Sequence, residues 1–271
     1  MKNNKSIFHE IGKVISNKEI AEGIFETFFT SPNISLVSVP GQFINILPSS
    51  NWENIMRRPM SIASKGDNQI SIIYKAIGDG TIMMSNWVKG EYVDFIGPLG
   101  NYWEDYNDYL PILVGGGVGI APILNFHNHL LDKKNNHILI MGARHKGEHF
   151  LIHDPDKQVY MSTDDGSLGI KGNVVDVLQS IYSNKLNNSN VKIFSCGPPQ
   201  MMESVKLFSL KHSLKCDLAL ETIMACGIGI CQGCTVERKV EESTADSYRD
   251  RFVLACLDGP IFSAEEIITC G

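Results

Sequence analysis

Over roughly the first hundred residues, apolar positions fall in short runs rich in β-branched and aromatic side chains, each bounded by Gly, Pro, Asn or Ser. SIFHEIGKVISN, IAEGIFETFFTS, GQFINILP, QISIIYKAIG and EYVDFIGPLG are such runs, and their close spacing predicts a small antiparallel barrel or sandwich. Within DGTIMMSNWVKG (79–90) one short helix is expected, starting at Thr81. Near residue 110 the pattern changes. LPILVGGGVGIAPILNFHNHLLDKK reads as an apolar strand, a glycine turn and an amphipathic helix. HILIMGAR and VKIFSCGPP read as further buried strands, and NVVDVLQSIY and PQMMESVKLFSLKH carry apolar residues at helical spacing. Strands alternating with helices predict a parallel α/β sheet. NKLNNSN (184–190) reads as a polar loop, and after about residue 216 the chain becomes irregular and cysteine-rich. Three units are expected from these changes: 1–106, 107–215 and 216–271.

Composition narrows the class. With 271 residues, 43% hydrophobic and 20% charged, the chain is long enough for two or more cored domains. A net charge of −6 argues against nucleic-acid binding, which calls for a basic excess. No apolar run has the length of a membrane span. The opening MKNNKSIFHEIGKVISN lacks the continuous apolar stretch of a signal peptide, so a cytoplasmic location is expected. There, clustered cysteines serve metals or redox chemistry more often than disulfides, and seven cysteines cannot all pair.

Five segments carry candidate chemistry. LVGGGVGIAP places Gly115, Gly116, Gly117 and Gly119 between a strand and a helix, where backbone amides can approach a phosphate. The usual dinucleotide spacing would need a third glycine where Pro122 stands, so a plain tight turn is an equal reading. SCGPPQMM, with Cys196, Gly197 and Pro198, occupies the same kind of strand end, and ligands of open parallel sheets gather there. IMRRPMSIAS offers Arg57 and Arg58 to a pyrophosphate and Ser61 to a ring or ribose, or else is a solvated basic loop before a strand. YKAIGDGT adds Lys75, Gly80 and Thr81 in a second phosphate-type loop.

The fifth segment, CGIGICQGC, continues to Cys256 as C-x4-C-x2-C-x21-C, whose leading intervals are those of plant-type [2Fe–2S] ligation. Its glycines permit tight wrapping and leave amides free for sulfur, while Ala225, Ile228 and Ile230 could keep water away. Structural zinc favours two separated CxxC pairs but remains an alternative, as do reactive thiols. Cys216 and Cys270 read as ordinary residues.

In their order along the chain, these segments resemble the ferredoxin–NADP reductase superfamily, and within it the electron-transfer subunits of class 1B dihydroorotate dehydrogenases. RRPMS resembles the family's FAD motif, GGGVGIAP and CGPPQMM its nicotinamide motifs, and STDDGSLGIKG a segment of its second half. MACGIGICQGC with CLDGPIF resembles its iron–sulfur segment. The resemblance implies a β-barrel FAD domain plus an α/β parallel-sheet nucleotide-binding domain, with a small C-terminal [2Fe–2S] domain. It places FAD at Arg58, Pro59, Met60, Ser61, Ile73, Tyr74, Lys75, Gly80 and Thr81. It places NAD at Gly115, Gly116, Gly117, Gly119, Cys196, Gly197 and Pro198. The cluster would be held by Cys226, Cys231, Cys234 and Cys256, with the last interval longer than usual. No catalytic acid or base of its own is implied. An FMN-containing dihydroorotate dehydrogenase catalytic subunit is the implied partner, in a heterotetramer of two of each, with no nucleic acid and no membrane. The rival reading is the small subunit of another NAD(P)H-linked iron–sulfur flavoprotein, such as a bifurcating NADH-dependent ferredoxin–NADP reductase; a zinc-stabilised binding module is the rival from another class. Asp164 and Asp165, beyond a strand, favour NAD over NADP.

Overall fold

The computed structural model describes residues 6–49, 55–186, 190–240 and 247–270. Residues 1–5 of the polar opening and 187–189 of the polar loop therefore lie outside the described residues. Of the two shapes the strand pattern allows, the closed barrel forms. Its strands are β1 (Phe8–Ala21), β2 (Ile24–Thr30), β3 (Phe43–Leu47), β4 (Arg58–Gly66), β5 (Gln69–Lys75) and β6 (Tyr92–Leu99), in the order β1-β2-β5-β4-β3-β6. All neighbours are antiparallel. Val14, Phe29, Ile44, Ile46, Ile62, Ile70, Ile72 and Phe95 fill the interior, and closure removes the sheet edges that would otherwise need covering.

Two short helices accompany the barrel. α1 (Pro32–Val37), which the strand-like pattern did not announce, opens on a proline, a residue suited to a position whose amide has no helical partner. α2 (Asp79–Ser85) begins before the expected Thr81. Thr81 Oγ1 accepts from the amides of Gly78 at 3.1 Å and Ile77 at 3.0 Å, so it caps the first turn from inside.

The second half is a parallel sheet flanked by helices. Its elements are β7 (Leu110–Gly116), α3 (Ile120–Asp132), β8 (Ile138–Ala143), β9 (Val159–Thr163), β10 (Ile170–Lys171), α4 (Val174–Ile181), β11 (Val191–Cys196), α5 (Pro199–Lys211) and β12 (Lys215–Ala219). The remainder holds β13 (Thr235–Glu237), α6 (Tyr248–Arg251), β14 (Phe252–Leu254) and β15 (Ile261–Ser263). The seven-stranded order is β10-β9-β8-β7-β11-β12-β15, and only the β12–β15 pair is antiparallel. Two strands of the segment read as irregular thus join the sheet, while β13 and β14 form a separate ribbon.

Strand order reverses between β7 and β11, the place where an open α/β sheet presents a crevice at its strand ends. The barrel is pinned against that crevice. Asn125 of α3 donates to the Ile62 carbonyl of β4 at 2.9 Å. Trp103, on the connection between the two halves, stacks on Phe126 at 6.0 Å and meets Phe194 edge-on at 5.6 Å. Among the described residues no helix is long and apolar enough to cross a membrane.

Candidate functional site

A cleft of about 280 Å³ opens between barrel and sheet. Pro59, Met60 and Ser61 of β4, Ile73, Tyr74 and Lys75 of β5, and Thr81 of α2 line it. Arg58 and Gly80 meet beside it: a Cβ on Gly80 would stand 2.9 Å from Arg58 Nε, so the missing side chain lets the guanidinium lie over the start of α2. The two adjacent arginines have separate fates. Arg57 pairs with Asp94 at 2.6 Å and donates to the Asn45 carbonyl at 3.2 Å, leaving Arg58 as the arginine near the cleft. The Tyr74 hydroxyl donates to Asn17 at 3.2 Å inside the barrel. Burial pushes its pKa to about 12, against the opposing pull of Thr27 and Asn17, so it stays a neutral phenol.

The far wall comes from residues to which sequence reasoning assigned no role. Val118 and Ala121 follow the glycine turn, and Leu220, Glu221, Thr222 and Met224 come from the stretch just after β12. The Glu221 carboxyl is raised by burial among these walls, although its side chain faces open cleft. Nothing local in ETIM marks a cleft wall; only the return of β12 to the sheet places it there.

A second cleft of about 380 Å³ adjoins the first. Gly116, Gly117, Ala143, Ser162, Asp164 and Pro198 at the carboxyl ends of the strands are among its walls. Gly115, Gly119, Cys196 and Gly197, expected to border the same ligand, stand behind this surface. A Cβ on Gly119 would lie 2.5 Å from the backbone of Gly197, so two strand ends interlock there with no room for a side chain. Burial, followed by the charge of Glu221, drives the Cys196 thiol pKa well up, which makes it a packing residue and not a thiolate.

The two clefts share Lys75, Ile77 and Val118. At this seam Lys75 Nζ lies 2.8 Å from Glu148 Oε1, and Arg144 binds the same carboxylate from the other side. Arg144 is the main cause that holds the Glu148 pKa near 2, with burial opposing and Lys75 assisting. Lys75 belongs to the barrel and Glu148 to the α/β half, so this pair latches the halves where the clefts meet. Asp164 lines the second cleft; Asp165 instead binds its own turn through the Ser167 amide at 2.9 Å.

The cysteines converge on the loop between β12 and β13. Cys226 Sγ accepts from the Cys231 amide at 3.4 Å. Burial would raise its pKa, but the amides of Cys231, Ile228 and Ile230 outweigh that and lower it to about 6. Burial and the neighbouring Cys234 thiol push Cys256 the other way, to about 12. Gly227 and Gly229 have φ of +72° and +82°, a backbone that glycine adopts freely and that turns amides inward. The long interval before Cys256 is explained by the ribbon. β13 pairs with β14, and the Ala255 amide donates to the Cys234 carbonyl at 2.8 Å, which sets Cys256 beside Cys234.

Among the described residues no group of three Cys, His, Asp or Glu side chains is gathered for a single metal ion. Cys226 neighbours Cys231, and Cys256 neighbours Cys234 with Cys226 next, so the four thiols gather in one place. Two thiolates for each of two irons is the donor set of a [2Fe–2S] cluster, and the inward amides suit its sulfurs.

Comparison with known proteins agrees with this geometry. The profile of the iron–sulfur cluster binding domain of dihydroorotate dehydrogenase B matches residues 221–268, and that of the oxidoreductase NAD-binding domain matches 113–207. The dihydroorotate dehydrogenase B (NAD(+)) electron transfer subunit of Fusobacterium nucleatum is 32% identical over 94% of this chain and 96% of its own. The chain belongs to this family of electron transfer subunits. Its counterpart from Streptococcus pneumoniae strain R6 is 34% identical over 96% of this chain and 98% of that one. Dihydroorotate dehydrogenase B electron transfer subunits are oxidoreductase components, which sets aside the zinc-stabilised module. A solved NADH-dependent reduced ferredoxin–NADP oxidoreductase, described for flavin-based electron bifurcation, superposes with a TM-score of 0.82 at 27% identity, covering 96% of this chain and 90% of that one. The ferredoxin reductase of carbazole 1,9a-dioxygenase, at 17% identity and a TM-score of 0.64 over 78% of this chain and 68% of its own, shares the fold.

Proposed function

We propose that FAD occupies the cleft between barrel and sheet, that NAD+ or NADH occupies the adjoining cleft, and that Cys226, Cys231, Cys234 and Cys256 hold a [2Fe–2S] cluster. On this reading the chain links an FMN-containing dihydroorotate dehydrogenase catalytic subunit to NAD+. The observation that carries it is contiguity. The two clefts share three residues, and Met224, a wall of the first, precedes the ligand Cys226 by a single intervening residue.

Flavin supplies the conversion between hydride and single-electron chemistry that nicotinamide and an iron–sulfur cluster each lack. The chain's own residues position. Arg58 offers a cation to the diphosphate, and Pro59 to Ser61 and Ile73 to Lys75 flank the ring. Gly116, Gly117 and Pro198 leave the strand ends bare for the nicotinamide nucleotide. The Lys75–Glu148 pair holds the two clefts in register, and with Arg144 already engaged by Glu148 and Asp164 on the wall, NAD fits better than NADP. Around exposed Cys231, the side chains of Ile223, Ile228, Ile230 and Leu257 are exposed as well. This apolar rim is where the partner docks and keeps water from the cluster. A cytoplasmic heterotetramer of two subunits of each kind completes the reading.

The test is a visible spectrum of the purified chain with mass spectrometry of what co-purifies. Flavin and iron–sulfur absorbance with an FMN-containing partner is the expected result; a colourless protein would sink the reading. The 27% identical bifurcating reductase supports a second reading, which a large iron–sulfur flavoprotein as co-purifying partner would favour.

A further inference from the structure

Asn45 is the polar exception in β3. Its neighbours Ile44 and Ile46 are fully buried, and so is Asn45 itself, at 0% exposure. Its Nδ2 donates to the Ala225 carbonyl at 2.9 Å, while its Oδ1 is buried with no hydrogen-bond partner. An unpaired buried acceptor is destabilising and a branched apolar residue would suit the strand, so packing does not account for this residue. What it touches does. A Cβ on Gly227 would stand 3.0 Å from Asn45 Nδ2, so the amide lies against both residues that flank Cys226. The same strand carries Phe43 into the wall of the first cleft. On its other side the Asn45 carbonyl accepts from Arg57 at 3.2 Å, which ties this point of the strand to β6 through Asp94.

We infer that Asn45 is a positioning residue for the iron–sulfur cluster: its side chain fastens the loop of the first ligand to the barrel strand that walls the flavin cleft. This rests on the cofactor assignment proposed above. The held Ala225 carbonyl fixes where Cys226 enters the loop, and so the separation between flavin and cluster. The unpaired Oδ1 leaves a fixed partial negative charge beside that loop, which opposes the arrival of an electron there.

Asn45→Ser, Asn45→Asp and Asn45→Leu, each purified as the holoprotein with its partner, test this by redox-titrated electron paramagnetic resonance and rapid-mixing absorbance. Bleaching of the flavin by NADH should keep its wild-type rate in all three. The cluster's resonance and midpoint potential should shift, with the Asp variant lowest in potential, and electron transfer between flavin and cluster should fall about 10- to 100-fold in the Leu variant. Resonance and potential unchanged in the Ser and Asp variants would overturn the inference, as would joint loss of FAD and cluster in them, which marks a residue of the fold alone. If the Leu variant does not fold, those two decide. A wild-type protein without cluster absorbance would instead overturn the cofactor assignment, and the inference with it.

Discussion

The two clefts and the cysteine loop would hold their proposed ligands by opposite means. The clefts are cut from the ends of regular strands whose positions are set by buried cores, and the glycines there serve by leaving space. The loop from 220 to 234 contains no repeating backbone. It is fastened at its ends, by the Leu220 amide to the Pro260 carbonyl at 2.9 Å and the Ala255 amide to the Cys234 carbonyl at 2.8 Å, and by Asn45 near its middle. A cleft of the first kind keeps its form without its ligand. A loop of the second kind draws much of its order from the bonds its thiolates make.

Removing one ligand should give the largest effect and confine it to one side of this contrast. Cys231→Ser is expected to abolish cluster absorbance while NADH still bleaches the flavin; a surviving cluster spectrum would show that the wrong thiol was assigned. On the other side, Gly119→Ala forces a Cβ to within 2.5 Å of the Gly197 backbone. Overpacking of this kind costs about 1–3 kcal/mol, measurable as a lower urea midpoint of the holoprotein. An unchanged midpoint would mean that the interlocked strand ends have slack.

Between the two lies the latch. Glu148→Gln leaves Lys75 and Arg144 without their shared anion and should slow flavin reduction by NADH several-fold, with both cofactors retained. Because the folded-state pKa of Glu148 is depressed, its contribution to stability is fully present above its ordinary value near 4.5 and is lost as the pH falls from there toward 2. Acid titration of the wild type against the variant should reveal that difference; identical profiles would make the pair ornamental.

The smallest effect is expected far from both regions. His127 Nδ1 and His137 Nε2 lie 2.7 Å apart, and His137 Nδ1 is 2.8 Å from the Asn135 carbonyl, an arrangement for two neutral rings. Burial, with His137 second, lowers the His127 pKa to about 4. The unfolded chain therefore takes up protons first. The contribution of His127 to stability is fully present above about pH 6.5, the ordinary histidine value, and is lost as pH falls toward 4. His127→Gln should flatten the melting temperature between pH 7 and 5, and an equal slope in the variant would place the acid sensitivity elsewhere.

Features written in consecutive residues were legible. The glycine turn at 115–119, the RRPMS strand and the cysteine spacing each declare themselves within a few positions, because backbone conformation and ligand geometry are local demands. Errors arose where a third party decides. Thr81 reads as a helix start until its hydroxyl is seen to cap from within the first turn. Arg57 and Arg58 look equivalent until Asp94 claims one of them. Glu148, Met224 and Asn45 carry no local sign at all, since their roles come from strands far away in the chain.

One further consequence follows from the pairing of Ala219 with Ile261 across β12 and β15. Those two residues face each other as the ends of a hairpin do, so everything from 220 to 260 is an insertion into what would otherwise be a simple reversal of the chain. The cysteine module is thus carried, like a cassette in a host, between two paired strand ends of the sheet. A two-residue turn in its place would preserve the host's hydrogen bonding. It would also strip the first cleft of Leu220, Glu221, Thr222, Met224 and Pro260. Host and cassette share one wall, so on the proposed assignment the segment that carries the cluster also encloses the flavin.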